Sequence, residues 1–344
     1  MASTIDDVAK LAGVHASTVS RVLNQKAAIT EETKQRVLAA AKQLNYHPNS
    51  MARSLASGLA GAIGFMLNAQ DELAFHNAFF SSSQFAVEKV AQAHHCHVII
   101  INGGAAAEEA VKSMILERRV DGLILPPSAA NLSLLSTLED FPYVLLGQPG
   151  ILEQRTYWVD IDNAQGAETA VRHLLDKGYA SVAYLGCDKK NDGPLDFIQR
   201  RVTGYERALP QGARSLLFPT DGTPEDAYRV ALSALREANR PQAFVCNDNL
   251  SAFGLLRAAR EAGVSVPQSL GIVTFNNYPL AEYTDPPLTA LHIDTTLLGE
   301  ETARLLFERI ERRRPEAACQ SVRLAPALIE RESSNLRKGD LRSQ

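Results

Sequence analysis

The sequence predicts an α/β protein with a small N-terminal domain of three helices, a short hinge and a large body of two doubly wound parallel sheets. Three observations lead to this fold class. The first fifty residues contain three short helical patterns, with a glycine between the first two. From Ala62 onward, strand-length apolar runs alternate with helical patterns. The alternation starts again after Asp162-Asn163, which indicates two similar subdomains in the body.

The first helix of the N-terminal domain, here called the headpiece, is predicted to begin at Thr4. Its side chain can cap the helix, with Asp7 three residues on in a capping-box position. Gly13 supplies the left-handed residue that ends the helix and starts a tight turn. The apolar face of this helix is formed by Ile5, Val8, Ala9 and Ala12.

The second predicted helix covers about Ala16 to Asn24, and Thr30 caps a third one. The inward residues are Val19, Val22 and Leu23 on the second helix, and Val37, Ala41 and Leu44 on the third. The outward residues of the second helix are Ala16, Ser17, Ser20 and Arg21. This small, polar and basic face suits a major groove, so the pattern indicates a helix-turn-helix. A generic three-helix bundle with solvated Ser17 and Arg21 is the alternative.

Charge and composition agree with a nucleic-acid partner for the headpiece alone. Residues 1–60 hold seven basic and four acidic side chains, a net charge of +3, whereas the whole chain of 344 residues carries −4. Four scattered cysteines without a CxxC pair argue against a disulfide scaffold and against a cysteine-rich zinc module. No stretch resembles a signal peptide or spans a membrane, so we expect a cytoplasmic protein.

The headpiece resembles that of the LacI family of repressors. The likeness runs from Thr4 to Val14 and from Ser17 to Asn24, and it continues in Tyr46-His47-Pro48-Asn49 and in Met51 to Leu55. It implies that the second helix reads bases and that a hinge helix forms on DNA, with Leu55 wedged into the minor groove. The implied DNA-binding residues are Thr4, Ala16, Ser17, Thr18, Ser20, Arg21, Asn49, Ser50, Ala52, Arg53 and Leu55. Alternatively, Leu55 packs against the body.

His15 departs from the family pattern, which usually has serine at the cap of the recognition helix. Histidine is a weaker cap than serine. We therefore expect the start of the second helix to fray more readily before DNA holds it.

The body is predicted to form a crevice where the carboxyl ends of its strands meet. The predicted strands are Ile63 to Leu67, Val98 to Asn102, Gly122 to Leu125, Tyr143 to Leu146, Trp158 to Ile161, Val182 to Gly186, Leu216 to Phe218, Ala243 to Cys246 and Ile272 to Phe275. Two predicted helices in the second half run from Ala164 to Lys177 and from Phe197 to Ala208.

The body also resembles the LacI family, in Arg119 to Ile124, Asp162-Asn163, Asn247-Asp248, Val266-Pro267 with Leu270 to Ile272, and Leu328 to Arg331. In that family it has the type I periplasmic-binding-protein fold. The resemblance implies a headpiece at 1–48, a hinge at 49–58, a body at 62–332 and a polar tail at 333–344. Within the body, the first subdomain covers about 62–162 and 293–322, and the second about 163–290 and 323–332.

The same resemblance implies an effector site in the crevice. Its residues are Asn77, Phe79, Phe80, Asp162, Arg201, Asn247 and Asn276. Each has a structural alternative: Phe79 or Phe80 can belong to the core, and Asp162 or Asn247 can cap the helix that follows.

Two departures from the family bear on the effector. Asn276 stands where relatives usually carry aspartate, and Gly222 stands where several place a stacking aromatic ring. A neutral amide near Arg201 suits a carboxylate ligand, and the missing ring argues against a flat purine. We therefore expect a sugar acid or a linear polyol, with a neutral sugar as the fallback if Asp162 pairs with Arg201.

The predicted function is a transcriptional repressor that binds operator DNA as a homodimer and is controlled by a small-molecule effector. A tetramer stays open, as does the choice between induction and co-repression. The alternatives are a solute-binding protein and a sugar-modifying enzyme. No nucleotide or hydrolase fingerprint occurs, so neither catalysis nor a cofactor is expected.

The tract His94-His95-Cys96-His97 spans a helix-to-strand turn, which argues against a metal site.

Overall fold

The computed structural model describes residues 3–23, 29–46, 58–67, 78–102, 107–127, 134, 137–138, 141–150, 156–188, 196–312 and 320–336. These residues form two compact units. One comprises the headpiece up to Gly61 together with Arg118–Val120, and the other comprises the rest of the body. Within these ranges, no helix combines the length and the apolar character needed to cross a bilayer.

The headpiece is the predicted helix-turn-helix. It contains α1 (Ile5–Ala12), α2 (Ala16–Leu23) and α3 (Glu31–Gln43). Val8, Val19 and Val37, one from each helix, are completely buried at its centre. Gly13 ends α1 in the left-handed conformation at φ +66°, which lets the chain turn directly into α2.

A capping box fixes the start of α1. The Thr4 backbone N–H donates to Oδ2 of Asp7 over 2.8 Å, and the Asp7 N–H donates to Oγ1 of Thr4 over 3.3 Å. The hydrogen bond from the Thr4 backbone lowers the pKa of Asp7, with a further contribution from the Thr4 hydroxyl. Asp7 is therefore ionised at neutral pH and is placed beside the positive end of the helix.

Replacing Thr4 with alanine should loosen the first turn of α1 without unfolding the headpiece. Loss of a threonine cap corresponds to roughly fivefold faster opening, so amide hydrogen exchange at Asp7 should accelerate by about that factor. Thr33→Ala is the matched control, because Thr33 lies inside the first turn of α3 and is not its cap residue. Unchanged exchange at Asp7 would show that the box contributes nothing.

The first subdomain is a six-stranded parallel sheet in the order β11-β5-β4-β3-β1-β2. Its inner strands β1, β3, β4 and β5 are buried along their whole length, whereas the edge strands β2 and β11 are partly exposed. Its elements are β1 (Ala62–Leu67), α4 (Ala78–Ala93), β2 (His97–Asn102), α5 (Ala107–Leu116), β3 (Gly122–Leu125), β4 (Tyr143–Leu146), β5 (Trp158–Ile161), α10 (Thr295–Arg312) and β11 (Ser321–Leu324).

The second subdomain repeats this design in the order β12-β10-β9-β8-β6-β7, parallel except for the β10–β12 pair. Its elements are α6 (Asn163–Asp176), β6 (Val182–Asp188), α7 (Asp196–Ala208), β7 (Leu217–Thr220), α8 (Pro224–Leu235), β8 (Ala243–Cys246), α9 (Asn249–Ala262), β9 (Gly271–Phe275), β10 (Thr289–His292) and β12 (Ala327–Ile329). The prediction of two parallel-sheet subdomains is confirmed.

The chain crosses between the subdomains after β5, after β10 and after β11. Two of these crossings touch, because the Asp162 N–H donates to the Leu324 carbonyl over 2.8 Å. β11 pairs with β5 through Leu324, so the last crossing follows Leu324 and not Val322, where the sequence placed it.

Candidate functional site

The outward face of α2 is narrower than the sequence suggested. Ser17 and Arg21 are exposed, and Thr18 is half-buried. Ala16 was predicted to point outward, but it is half-buried and packs against the headpiece core. Ser20 is half-buried as well. The groove-facing candidates with fully accessible side chains are therefore Ser17 and Arg21.

His15 occupies the cap position of α2 through its backbone. Its carbonyl accepts hydrogen bonds from the N–H groups of Thr18 and Val19 over 2.9 and 3.2 Å. Thr4, the remaining DNA-binding candidate in the headpiece, uses its hydroxyl in the capping box. The other candidates, Asn49, Ser50, Ala52, Arg53 and Leu55, lie outside the described residues, as does Asn77 of the effector site.

Arg201 is the centre of the candidate effector site in the body. Its side chain is 6% exposed, and its Nε donates to Oδ1 of Asn163 over 2.8 Å. Nη1 donates to the Asn247 carbonyl over 2.6 Å and to the Asn247 Oδ1 over 3.1 Å. The guanidinium lies over the ring of Phe275, 3.9 Å from its centroid, and 5.0 Å from the centroid of Phe197. Burial lowers the pKa of Arg201.

A close helix crossing brings Arg201 to this position. α7 packs against α6 at Gly204, where a Cβ atom would overlap the carbonyl oxygen of Ala164. Only glycine permits this approach without moving one backbone. Because Arg201 precedes Gly204 by about one helical turn, its side chain meets Asn163 at the first position of α6.

Asn247 follows β8 at the carboxyl edge of the second sheet and is buried. Its Oδ1 also accepts a hydrogen bond from the Tyr184 hydroxyl over 3.0 Å. The alternative that Asn247 caps the next helix is wrong, since Asp248 caps α9 by accepting from the Ser251 N–H over 2.8 Å.

Asn276 lies at the same edge, after β9, with a left-handed backbone at φ +67°. Asparagine tolerates this conformation better than most residues. Its Nδ2 donates to the Tyr278 hydroxyl over 3.1 Å, and that hydroxyl also bonds to the backbone of Phe79 in the first subdomain. Burial raises the pKa of Tyr278, and the nearby charge of Asp248 adds to the shift. Tyr278 therefore links the two subdomains as a neutral phenol.

Phe79 and Phe80 lie in the first turn of α4. Both are half-buried, and their rings meet edge to face with centroids 5.3 Å apart. Their partial exposure differs from the fully buried core alternative. Through Tyr278, Phe79 is joined to the same edge that carries Asn276.

Asp162 caps the helix that follows it, which was the structural alternative to a ligand contact. Its Oδ1 caps α6 by accepting from the Gln165 N–H over 2.9 Å, and its other oxygen lies 3.9 Å from Arg323. The side chain that contacts Arg201 is the next one, Asn163. Sequence reasoning also missed Tyr278, which follows Asn276 by two residues in the loop at the strand end. The signal available in the sequence was that Tyr278 closely follows the predicted strand Ile272 to Phe275, and so lies at the carboxyl edge of the sheet.

Within the histidine tract, His94 and Cys96 make packing contacts, whereas His95 and His97 are exposed. His94 stacks on Phe307, with the ring centroids 4.0 Å apart, and lies 3.9 Å from Glu311. Cys96 is buried, and burial raises the pKa of its thiol to about 11. Among the residues the structure describes, no three histidine, cysteine or acidic side chains are grouped to hold a metal.

Comparison with known families matches both parts of the chain. Residues 4–49 match the bacterial regulatory proteins of the lacI family, and residues 171–334 match the periplasmic binding protein-like domain. The chain is 33% identical over 341 residues to the HTH-type transcriptional repressor PurR of Klebsiella pneumoniae, with 96% of each chain covered. PurR of Escherichia coli has the same identity and coverage.

Solved structures share the fold over most of the chain. The complex of the transcriptional regulator CelR with cellobiose is 26% identical, with a TM-score of 0.72 and coverage of 96% of this chain and 99% of CelR. A LacI family transcriptional regulator from Enterococcus faecium with bound ribose is 25% identical, with a TM-score of 0.68, covering 79% of this chain and 98% of its own.

The lac repressor dimer bound to operator and the anti-inducer ONPF is 23% identical and has a TM-score of 0.78, covering 97% and 99% of the two chains. This likeness supports the fold. The 33% identity to PurR over 341 residues, together with the match of residues 4–49 to the lacI family, shows the family. The chain belongs to the LacI family and is a DNA-binding transcriptional repressor with a periplasmic-binding-protein-like ligand domain.

Proposed function

We propose that this repressor binds a near-palindromic operator as a homodimer and reads it with the exposed face of α2. Each headpiece offers one recognition helix, so a two-fold operator needs two copies of the chain. The body exposes the apolar side chains of Phe85, Leu280 and Tyr283, which are available to a subunit interface. Arg21 and Ser17 are the base-reading candidates, and Thr18 and Ser20 are the phosphate-contacting ones.

We further propose that the effector is a sugar or a sugar acid held in the crevice of the body. The observation that carries this proposal is the surroundings of Arg201. Its described hydrogen-bond partners are uncharged oxygens of Asn163 and Asn247, and within the described part of the chain it forms no ion pair. Asp162, the competing carboxylate, is directed to Arg323. A ligand carboxylate or a set of hydroxyls would complete this arrangement.

The amide groups of Asn247 and Asn276 add donors and acceptors that match hydroxyl groups. Gly222 lies between β7 and α8, and a Cβ there would meet no atom within 4 Å, so this position provides no ring for stacking. The relatives that carry cellobiose and ribose support a sugar-class ligand. No catalysis and no cofactor is part of this proposal.

The effector would act by changing how the two subdomains close on each other. Tyr278 of the second subdomain bonds Phe79 of the first, and it does so beside Asn276. A ligand that contacts Asn276 therefore also changes the stability of this link. Such closure would alter the separation of the two hinge segments in a dimer, and with it operator affinity.

The decisive experiment is a thermal-shift screen of sugars, sugar acids and purines, followed by mobility-shift assays on operator DNA. A true effector raises the melting temperature by mass action and changes operator binding in a concentration-dependent manner. Tighter binding of a purine than of any sugar would contradict the proposed ligand class. Equal binding to operator and to scrambled DNA would contradict the proposed reading by α2.

Replacing Tyr278 with phenylalanine should weaken effector binding by about three- to tenfold. The change removes one buried hydroxyl and leaves Nδ2 of Asn276 and the Phe79 N–H without their shared partner. Calorimetric titration with the best ligand from the screen gives the affinity. Tyr228→Phe is the matched control, because that hydroxyl bonds Glu261 away from the crevice. Equal losses in both variants would remove Tyr278 from the site.

A further inference from the structure

A cavity of about 220 Å³ lies where the chain crosses between the two subdomains. The first subdomain contributes Gln148, which follows β4, and Arg323 of β11. The second contributes Arg200 and Arg207 of α7. The first turns of α6 complete the wall with Asp162, Asn163, Ala164, Gln165 and Glu168. Arg201, although adjacent to Arg200, is not among the lining residues.

The cavity collects more positive than negative charge. Arg200 and Arg207 are seven residues apart, two turns along one face of α7, and Arg323 stands opposite on β11. The two carboxylates of the wall already have cationic partners. Asp162 lies 3.9 Å from Arg323, and Glu168 lies 3.2 Å from Arg172.

Two buried N–H donors of the wall have no acceptor among the described residues. They are Nε2 of Gln148, a side chain that is only 4% exposed, and Nε of Arg200. Buried polar groups are normally hydrogen-bonded, so an unpaired donor on a residue that lines a cavity indicates a missing acceptor. The backbone of Gln148 is held in place, since its N–H donates to Oδ2 of Asp160 over 2.9 Å.

The N-terminus of α6 also opens into the cavity. Asn163, Ala164 and Gln165 form the first turn of this fourteen-residue helix, whose positive end is already capped by the carboxylate of Asp162. The cavity therefore combines three arginines, of which Arg323 lies near Asp162, with two orphan donors. This donor-rich set matches an oxyanion with acceptors on several sides, and it is less suited to a flat carboxylate.

We propose that this cavity is a second ligand site that binds a small anion of the phosphate class, either inorganic phosphate or a phosphate monoester. It is separate from the effector crevice, although Asn163 borders both. Because Gln148 and Arg323 belong to one subdomain and Arg200 and Arg207 to the other, the bound anion ties the subdomains together at their crossings. It therefore biases the same closure that the crevice ligand controls.

The test uses the full-length chain, with sodium phosphate, glycerol 3-phosphate and sodium chloride compared at equal ionic strength. A saturable rise in melting temperature with the phosphate compounds, and not with chloride, is expected, and calorimetry then gives the affinities. Tighter binding of glycerol 3-phosphate identifies a monoester as the ligand, and equal or tighter binding of inorganic phosphate identifies the free anion. Either order supports the site. The same rise with chloride overturns it.

Arg207→Gln should weaken phosphate binding at least tenfold. The side chain is exposed, so the substitution leaves the fold intact. Arg214→Gln is the matched control, because Arg214 is an exposed arginine of the same subdomain that does not line the cavity. The proposal is wrong if Arg207→Gln binds phosphate as tightly as the parent, or if Arg214→Gln loses as much affinity.

Discussion

Replacing Arg201 with lysine should lower effector affinity by at least roughly a hundredfold, or about 2.7 kcal/mol. Lysine keeps the charge but loses the planar fork that bonds Asn163 and Asn247 at the same time. It also loses the flat contact with the ring of Phe275, whose centroid is 3.9 Å away. A loss of this size would show that the geometry of the guanidinium, and not its charge alone, holds the ligand.

Calorimetric titration with the ligand found in the thermal-shift screen measures this effect. Arg257→Lys is the matched control, because Arg257 lies over the ring of Tyr228, 4.2 Å from its centroid, and is outside the crevice. Its affinity for the effector should equal that of the parent. Binding by Arg201→Lys within a factor of three of the parent would exclude Arg201 as the central ligand contact.

For the proposed ligand, the choice between a sugar acid and a neutral sugar depends on the same residue. Asp160 and Asp248 are the carboxylates that act on Arg201, and burial raises the pKa of the Asp160 carboxyl, opposed by hydrogen bonds from the backbone of Gln148 and Ile161. Asp160 reaches Arg201 only through Asn163, whose amide contacts both. An anionic ligand at Arg201, as proposed, would therefore be a more direct partner than Asp160.

Much of the body could be predicted because buried parallel strands are continuous apolar runs. Gly122–Leu125, Tyr143–Leu146, Trp158–Ile161 and Ala243–Cys246 have the predicted bounds. The strands β10, β11 and β12 were not predicted. β11 alternates exposed and half-buried residues, and β12 has three residues, so neither forms a long apolar run. These strands depend on pairing with distant partners, which a local pattern does not encode.

At the start of α6, the side chain that contacts Arg201 is Asn163 and not the predicted candidate Asp162. Asp162 and Asn163 are adjacent polar residues at a strand end, and either can cap a helix. Which of them faces Arg201 depends on the rotation of α6 against α7, which is set by the contact of Gly204 with Ala164. That contact joins residues forty positions apart in the chain. Ala16 was wrongly placed on the outward face of α2 for a similar reason: its burial depends on packing against the rest of the headpiece core.

Replacing Arg21 with alanine should abolish most of the preference for operator over other DNA. Arg21 is exposed on the last turn of α2, on the face that the headpiece core leaves free. An arginine that bonds a guanine with both of its terminal nitrogens contributes about 1–3 kcal/mol of discrimination, so the expected loss of selectivity is about tenfold to a hundredfold. A contact to phosphate alone would instead weaken binding to every DNA sequence alike.

The measurement is fluorescence anisotropy on an operator selected from random DNA and on a scrambled duplex, at several salt concentrations. Arg36→Ala is the matched control, since Arg36 is an exposed arginine on α3 and not on the recognition helix. It should keep the parent's ratio of operator to scrambled affinity. If Arg21→Ala loses equal affinity for both duplexes and reduces the salt dependence by about one ion, Arg21 holds a phosphate. The operator is then read elsewhere on α2, where Ser17 is the other fully exposed candidate.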